Sequence, residues 1–381
     1  MKIKYILTHP IHYQVPLIKF LKKKKMNIRV NYRCDLMSKK YYDPGFKKKI
    51  NIGINLLKGY EYKFLNYIGP NKVSLLYPIT TDFFSNIFEK NTEIIWLHGI
   101  KNWYNLCLML IAKILKKKVF IRDEVFHESK KRSFLNRIFN KFFYIFIDKF
   151  IDVYLAIGSQ NKRYYLDQGI NKRKITTVPY VVNNNFFFNK NLKVKKKINY
   201  LFVAKLQKKK GADLLLQAIK LLNLKKNFIN FVNFHIVGDG DMEKELKRFV
   251  KKEKLQNIKF SSFKNQNELK KIYKFADVFI IPSTIEPWGL TVNEAMAAGT
   301  AIISSNKVGS SFDLVKNNIN GYKFKSGDPK DLSKKIYYIF KNRKKIKKFK
   351  KNSLKIISKW DFEKCYFGLK KSIRILKIKK I

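Results

Sequence analysis

Two glutamates, Glu286 and Glu294, lie eight positions apart near a Trp-Gly turn in the last third of the chain. An apolar run, 276–282, precedes them, and a helix-favouring stretch follows them and ends at Gly299 before another apolar run. The pattern predicts a strand, a loop, a helix and a strand, with one carboxylate in the loop and one in the helix. Open α/β sheets bind ligands at this position, and free N–H groups at a helix start can hold a phosphate.

The strands and helices that position these carboxylates are predicted from an alternation of apolar runs and helix-like segments along the chain. In the first half, the predicted strands are 4–7, 28–33, 93–98, 119–122, 153–156 and 175–178, and the predicted helices are 15–21, 107–115 and 134–150. In the second half, the predicted strands are 199–203, 233–237, 258–260, 278–281 and 301–304, with helices between them. This alternation indicates mostly parallel sheets with helices on both faces. We therefore expect an α/β protein with two doubly wound, Rossmann-like domains.

The length of 381 residues suits two domains. We place the first domain at 1–182, a polar linker at 183–198 and the second domain at 199–345. A basic, helical segment at 346–381 completes the chain.

Here the residues resemble a family. The context Glu286-Pro-Trp-Gly-Leu, followed by Glu294-Ala-Met-Ala-Ala-Gly, is similar to the two-glutamate motif of the retaining nucleotide-sugar glycosyltransferases of family 4, also called glycosyl transferases group 1. The resemblance implies a GT-B fold, in which two Rossmann-like domains face each other across a cleft and a C-terminal helix crosses back to the first domain. It also implies that Glu286 contacts the donor sugar and Glu294 the ribose, and carboxylates suit such hydroxyl contacts.

The strand 199–203 leads into Ala204-Lys205-Leu206 and then Lys210-Gly211. This segment resembles the family loop whose two cations hold the donor diphosphate and stabilise charge on the departing nucleotide. Ala204 stands where glycine is commoner in the family. The alternative is an ordinary charged loop.

The resemblance implies donor-binding roles for further positions: Gly238, Asp239, Gly289, Leu290 and Thr291. The first two lie in a Val-Gly-Asp-Gly turn after a strand. A dinucleotide fingerprint is disfavoured, because position 243 is Glu243 and not the third glycine.

The first strand ends in a His-Pro-x-x-Tyr-Gln pattern that contains His9, His12 and Gln14. The resemblance places this loop on the acceptor side. The alternative for the two histidines is that they only pack the turn.

Another strand ends at Arg122-Asp123-Glu124, with His127 nearby. Family members place a group close to the reacting oxygen here, so we expect Asp123, Glu124 or His127 to assist the acceptor hydroxyl. Helix capping is an alternative role for Asp123.

The resemblance thus predicts a metal-independent, retaining enzyme that uses a nucleoside-diphosphate sugar and needs no cofactor. It would glycosylate a glycan or glycolipid intermediate of a cell-surface polysaccharide such as lipopolysaccharide. The expected mechanism is front-face displacement, in which the leaving phosphate helps to take the acceptor proton. An inactive, enzyme-like partner subunit is an alternative.

The net charge of +55 raises a rival function, binding of nucleic acid or another polyanion. The lysines are scattered in short runs, however, and abundant Lys, Asn, Ile, Phe and Tyr are typical of an AT-rich gene. We therefore expect no specific nucleic-acid partner. The three cysteines predict no disulfide framework, and we see neither a signal peptide nor a membrane-spanning run. A cytoplasmic protein with weak attraction to anionic membranes is expected.

The predicted helix 134–150 has an aromatic face and basic residues that include Arg137 and Lys141. Such a helix could lie on a membrane surface and bring the enzyme to a lipid-linked acceptor. The alternative is that the aromatic face belongs to the core.

Overall fold

The structure is a computed structural model that describes residues 1–38, 40–70, 73–74, 77–83, 87–127 and 133–378. The strands of the first half are β1 (Lys2–Leu7), β2 (Ile28–Tyr32), β3 (Tyr41–Asp43), β4 (Lys48–Ile50), β5 (Tyr62–Phe64), β6 (Tyr67–Ile68), β7 (Ile79–Thr80), β8 (Thr92–His98), β9 (Lys118–Arg122), β10 (Val153–Ala156) and β11 (Ile175–Thr177). The helices of the first half are α1 (Val15–Lys23), α2 (Trp103–Ile114), α3 (Phe134–Asp148) and α4 (Ser159–Asp167).

The second half continues the alternation. Its strands are β12 (Ile198–Val203), β13 (Val232–Val237), β14 (Ile258–Ser261), β15 (Val278–Ile281), β16 (Ala301–Ser305) and β17 (Gly321–Phe324). Its helices are α5 (Asn184–Phe187), α6 (Ala212–Asn223), α7 (Lys226–Ile229), α8 (Glu243–Lys252), α9 (Gln266–Phe275), α10 (Leu290–Ala297), α11 (Gly309–Leu314), α12 (Pro329–Lys341), α13 (Ile346–Ile357) and α14 (Phe362–Ile378).

The chain forms two compact units. The first unit comprises 1–41, 54–181 and 362–381, and the second comprises 42–53 and 182–361. These units differ from the predicted ranges. Residues 42–53, the predicted linker 183–198 and residues 346–361 of the predicted C-terminal segment all belong to the second unit. Helix α14 belongs to the first unit, which agrees with the C-terminal crossing that the family resemblance implied.

In the first unit, one parallel sheet has the order β11-β10-β9-β8-β1-β2-β5. The central strand β1 is buried, and Tyr5 pairs in register with Val30 on one side and Trp96 on the other. The Tyr5 and Trp96 rings stack with centroids 3.8 Å apart. Helix α14 is fastened to this unit because the Cys365 thiol donates to the Pro179 carbonyl at 3.1 Å.

In the second unit, six parallel strands have the order β14-β13-β12-β15-β16-β17. The core lies between this sheet and helices such as α6 and α12, whose apolar residues are buried. The predicted α/β class with two doubly wound units is confirmed. The edge strands β5 and β17 were not predicted, whereas the edge strands β11 and β14 were. Among the described residues, no helix has the length and apolarity to cross a bilayer.

Candidate active site

The second sheet reverses its strand order between β12 and β15, and ligands bind at such a switch point in open α/β sheets. Lys205 follows β12, and Glu286 follows β15. The fold therefore brings two segments that are far apart in sequence to the same edge of one sheet.

Lys210 and Glu286 form an ion pair across this switch point. Their side chains are only 20% and 14% exposed. Lys210 lies in a 3₁₀ turn that ends at Gly211, whose φ is 75°. A Cβ atom there would lie 2.4 Å from the Pro282 carbonyl oxygen, so only glycine lets this turn approach the end of β15. The turn thus holds a cation directly beside the loop carboxylate.

Lys205 has a partner that no local sequence pattern predicts. Its Nζ lies 2.7 and 2.9 Å from the two carboxylate oxygens of Asp43 and 4.9 Å from the ring centroid of Phe46. Burial would raise the pKa of Asp43, but Lys205 and the backbone N–H groups of Gly45 and Phe46 outweigh it and hold this pKa below its usual value. Lys205, the cation predicted to bind the donor diphosphate, is therefore paired with the carboxylate of Asp43 in this structure.

Glu294 lies in α10 and is only 5% exposed, so its carboxylate is buried. Its carboxylate accepts from the Tyr273 hydroxyl at 2.9 Å and from the Gln266 amide at 3.4 Å. Burial raises the pKa of Glu294 to about 7, and these two hydrogen bonds oppose that shift. The residue can therefore exchange a proton near neutral pH or bind hydroxyl groups as a carboxylate.

The loop after β13 packs directly on the loop that carries Lys205. A Cβ atom on Gly238 would lie 1.9 Å from the Ala204 carbonyl oxygen, so the glycine permits this approach. Asp239 accepts from the Phe263 backbone N–H at 2.6 Å and pairs with Lys48. Asp239 thereby organises the loop after β14 in addition to any ligand contact.

Helix α10 begins directly after Gly289, whose φ is 87° and which lies beside the Glu286 side chain. Leu290 and Thr291 form its first turn. N–H groups in a first turn have no intrahelical acceptor and can bind an anion. The start of α10 therefore adds donors next to the Lys210–Glu286 pair.

In the first unit, the strand order reverses between β1 and β8, and a cluster around Glu124 lies at the ends of the neighbouring strands. The hydroxyls of Tyr13 and Tyr180 donate to Glu124 Oε1 at 2.9 and 2.6 Å. The Tyr180 oxygen also lies 3.2 Å from Nε2 of His98. Tyr13 belongs to the predicted His-Pro-x-x-Tyr-Gln pattern, but its contact with Glu124, and that of Tyr180, was not predicted, because no local pattern links positions so far apart.

Arg122 and Gln14 are both 1% exposed and form the floor beneath this cluster. Arg122 donates to Gln14 Oε1 at 3.2 Å and to the Pro179 carbonyl at 2.6 Å. Asp123 accepts from the Glu124 N–H at 2.8 Å, and no α-helix begins at Asp123 or at the next three residues, so helix capping is wrong. Burial raises the pKa of Asp123 to about 6.

His9 and His12 lie in the loop after β1, and burial lowers the pKa of each to about 4. Their Nδ1 atoms, like Gln14 Nε2 and Arg122 Nε, are buried without a hydrogen-bond partner in the described parts of the chain. These atoms can form hydrogen bonds with a polar ligand or with ordered water. His127 is separate from them, since its Nε2 lies 2.7 Å from Asp167.

Residues 183–356 match the family model described as Glycosyl transferases group 1. This range covers most of the second unit and includes Lys205, Lys210, Glu286 and Glu294. Among curated proteins, the chain is 26% identical over 263 residues to an uncharacterized glycosyltransferase of Methanocaldococcus jannaschii, covering 68% of this chain and 70% of that protein.

The chain is also 24% identical over 373 residues to the N,N'-diacetylbacillosaminyl-diphospho-undecaprenol alpha-1,3-N-acetylgalactosaminyltransferase of Campylobacter jejuni, covering 92% of this chain and 91% of that protein. Anabaena HepE, solved with UDP, superposes with a TM-score of 0.70 at 15% identity over 100% of both chains. A glycosyltransferase from Rickettsia africae superposes with a TM-score of 0.72 at 18% identity over 99% and 98% of the two chains. These likenesses confirm the GT-B fold.

Proposed function

We propose that this glycosyltransferase, whose residues 183–356 belong to Glycosyl transferases group 1, transfers a sugar with retention of configuration from a nucleoside-diphosphate sugar to a hydroxyl of a glycan or glycolipid intermediate. The observation that carries the proposal is the Lys210–Glu286 pair at the switch point of the second sheet, with Lys205 in the same β12–α6 connection as Lys210. Relatives with names in polysaccharide and glycan synthesis, such as an amylovoran biosynthesis glycosyltransferase of Erwinia amylovora, support this assignment over a polyanion-binding protein.

On this proposal, Lys205 and Lys210 hold the donor diphosphate, and the N–H groups of Leu290 and Thr291 assist them. Glu286 orients the sugar and Glu294 the ribose through hydroxyl contacts. The bond between the anomeric carbon and the diphosphate oxygen breaks, and its electron pair leaves with the diphosphate. The two ammonium groups stabilise that charge, which is the task of a metal ion in other enzymes, so we propose a metal-independent reaction without a cofactor.

The new bond forms between the anomeric carbon and the acceptor oxygen on the face that the diphosphate leaves. The acceptor proton passes to the departing phosphate oxygen. The first unit binds the acceptor near Glu124, where His9, His12 and Gln14 offer buried polar atoms. A carboxyl with a pKa of about 6, as in Asp123, is suited to assist a proton transfer near neutral pH.

We further propose that the acceptor is lipid-linked and that the enzyme works at the inner face of the plasma membrane. The Campylobacter jejuni relative, whose name specifies a diphospho-undecaprenol substrate, matches this chain over almost its entire length. The net charge of +55 favours attraction to anionic lipid.

A thermal-shift screen with UDP-, GDP- and ADP-sugars tests the donor site, because a ligand that binds only the folded state raises the melting temperature. One donor class should stabilise the protein, and Lys205→Ala or Lys210→Ala should abolish that shift. Lys209→Ala is the matched control, since Lys209 lies exposed in the same turn. An equal shift in all three variants, or no shift with any donor, would refute the proposed site.

A further inference from the structure

Helix α3 exposes an apolar surface that the protein interior does not cover. Its large apolar residues Phe134, Phe139 and Phe142 are 75%, 70% and 65% exposed. Four more exposed apolar residues of α3 are Leu135, Ile138, Ile145 and Phe146. At about 100° per residue, all seven project within an arc of roughly 140° on one side of the helix. We call these seven residues the α3 face.

The orientation of α3 is held by polar contacts on its opposite side. Asn140 donates to the Tyr164 hydroxyl at 2.6 Å and to Gln168 Oε1 at 2.8 Å, and it accepts from Lys101 at 2.8 Å. Tyr144, one turn further along, is also buried. The exposed arc is therefore not the result of a loosely attached helix that could roll its aromatic side inward. The alternative, that the aromatic face of this helix belongs to the core, is therefore wrong.

Charge distinguishes between the possible occupants of the α3 face. Lys141 and Arg137 are exposed and border one edge of the arc. In a face-to-face pair of copies, these cations would approach one another, and a net charge of +55 opposes self-association. An anionic surface, in contrast, would attract the same cations. A helix with an aromatic apolar side and basic borders is the type that lies in the interface of a bilayer.

We infer that the α3 face docks this enzyme on an anionic lipid bilayer, with the phenylalanine rings inserted at the headgroup boundary and Arg137 and Lys141 against lipid phosphates. The biological role of this docking, which is to hold the first unit at a lipid-linked acceptor, rests on the proposed function. The docking itself requires no donor, acceptor or catalysis.

The test is flotation of the full chain with vesicles of phosphatidylcholine and phosphatidylglycerol, compared with phosphatidylcholine alone. The wild type should float with the mixed vesicles. Phe139→Ser/Phe142→Ser should lower the partition coefficient at least tenfold, because two apolar rings are lost at unchanged charge. The matched control is Leu224→Ser/Phe275→Ser, which removes two exposed apolar residues of the second unit and should float as the wild type does.

A second measurement distinguishes non-specific electrostatic attraction of this basic chain to anionic lipid from insertion of the α3 face. In about 1 M salt, where the screening length is only about 3 Å, the wild type should retain part of its binding, whereas Phe139→Ser/Phe142→Ser should retain none. Equal flotation of this variant and the wild type would overturn the inference. A wild type that fails to float, or that forms a dimer which this variant abolishes, would also overturn it.

The same preparations separate this inference from the proposed function. Lys210→Ala should lose the donor-induced thermal shift but float normally. Phe139→Ser/Phe142→Ser should keep the thermal shift but not float.

Discussion

Asp43 binds Lys205 through both carboxylate oxygens, at 2.7 and 2.9 Å, although 162 positions separate the two residues. The segment 42–53 that carries Asp43 packs within the second unit, and Phe46 lies against Phe263 of that unit with ring centroids 4.8 Å apart. A carboxylate thus occupies the cation that we assign to the donor diphosphate. On the proposed function, the donor diphosphate displaces this carboxylate from Lys205.

We therefore predict that Asp43→Asn binds the donor nucleotide more tightly. The diphosphate would no longer compete with a charge-assisted hydrogen bond, so the gain should be roughly tenfold, or about 1.4 kcal/mol. Isothermal titration of UDP into both proteins measures it. Asp241→Asn is the control, because Asp241 pairs with Lys47 of the same segment and not with Lys205. Unchanged or weaker binding in Asp43→Asn would show that Asp43 does not compete.

Glu294→Gln should change how stability depends on pH. The folded carboxyl has a pKa of about 7, against about 4.5 when unfolded, so the unfolded state loses its proton first as pH rises. The contribution of Glu294 to the free energy of unfolding is therefore greatest below pH 4.5 and decreases between pH 4.5 and 7. At pH 8 the variant should be more stable by up to about 3 kcal/mol, and at pH 4 it should not differ. Chemical denaturation of the wild type and Glu294→Gln between pH 4 and pH 8 measures the free energy of unfolding of each. Parallel pH profiles of the two proteins would contradict the prediction.

The same variant should bind UDP more weakly at pH 8, where wild-type Glu294 can accept from ribose hydroxyls as a carboxylate. Greater stability combined with weaker nucleotide binding would locate Glu294 in the donor site, since a purely structural residue would change the first property alone.

Substitutions of Glu124 should separate stability from catalysis. Glu124→Ala removes the carboxylate that accepts from the hydroxyls of Tyr13 and Tyr180 and should cost about 2 kcal/mol. Glu124→Gln keeps an acceptor oxygen and should cost less than about 1 kcal/mol. Both variants should lose sugar transfer while keeping the donor thermal shift. Full transfer activity in Glu124→Gln would remove Glu124 from the acceptor site.

The buried ion pair of Lys350 and Asp277 provides a stability test in the second unit. Lys350 Nζ donates to Asp277 Oδ1 at 3.0 Å, and both side chains are 2% exposed. Lys350→Met should destabilise the unit by about 3–5 kcal/mol because it leaves a buried charge unpaired. The double variant Lys350→Met/Asp277→Asn should recover more than half of that loss. Chemical denaturation of the wild type, Lys350→Met, Asp277→Asn and the double variant tests this, and additive losses in the two single variants would disprove the coupling.

Much of the fold was predictable because its signals are local. Apolar runs of three to seven residues alternate with amphipathic segments, and these patterns located the central strands and most helices. The short strands β3 and β4 were not predictable, since three residues each carry no periodicity. The path of 42–53 into the second unit was also hidden, because no local pattern specifies which unit a surface segment joins.

The sequence by itself determined the two doubly wound units through local strand and helix signals, and the resemblance of its motifs to a known family marked Lys205, Lys210, Glu286 and Glu294 as candidate site residues. Only the tertiary structure decided which groups are in contact, such as Asp43 with Lys205, and Tyr13 and Tyr180 with Glu124. It also decided that the α3 face is exposed to solvent. The physical reason is that periodicity specifies which side of an element is apolar, whereas pairing and burial depend on what the rest of the chain places against that side.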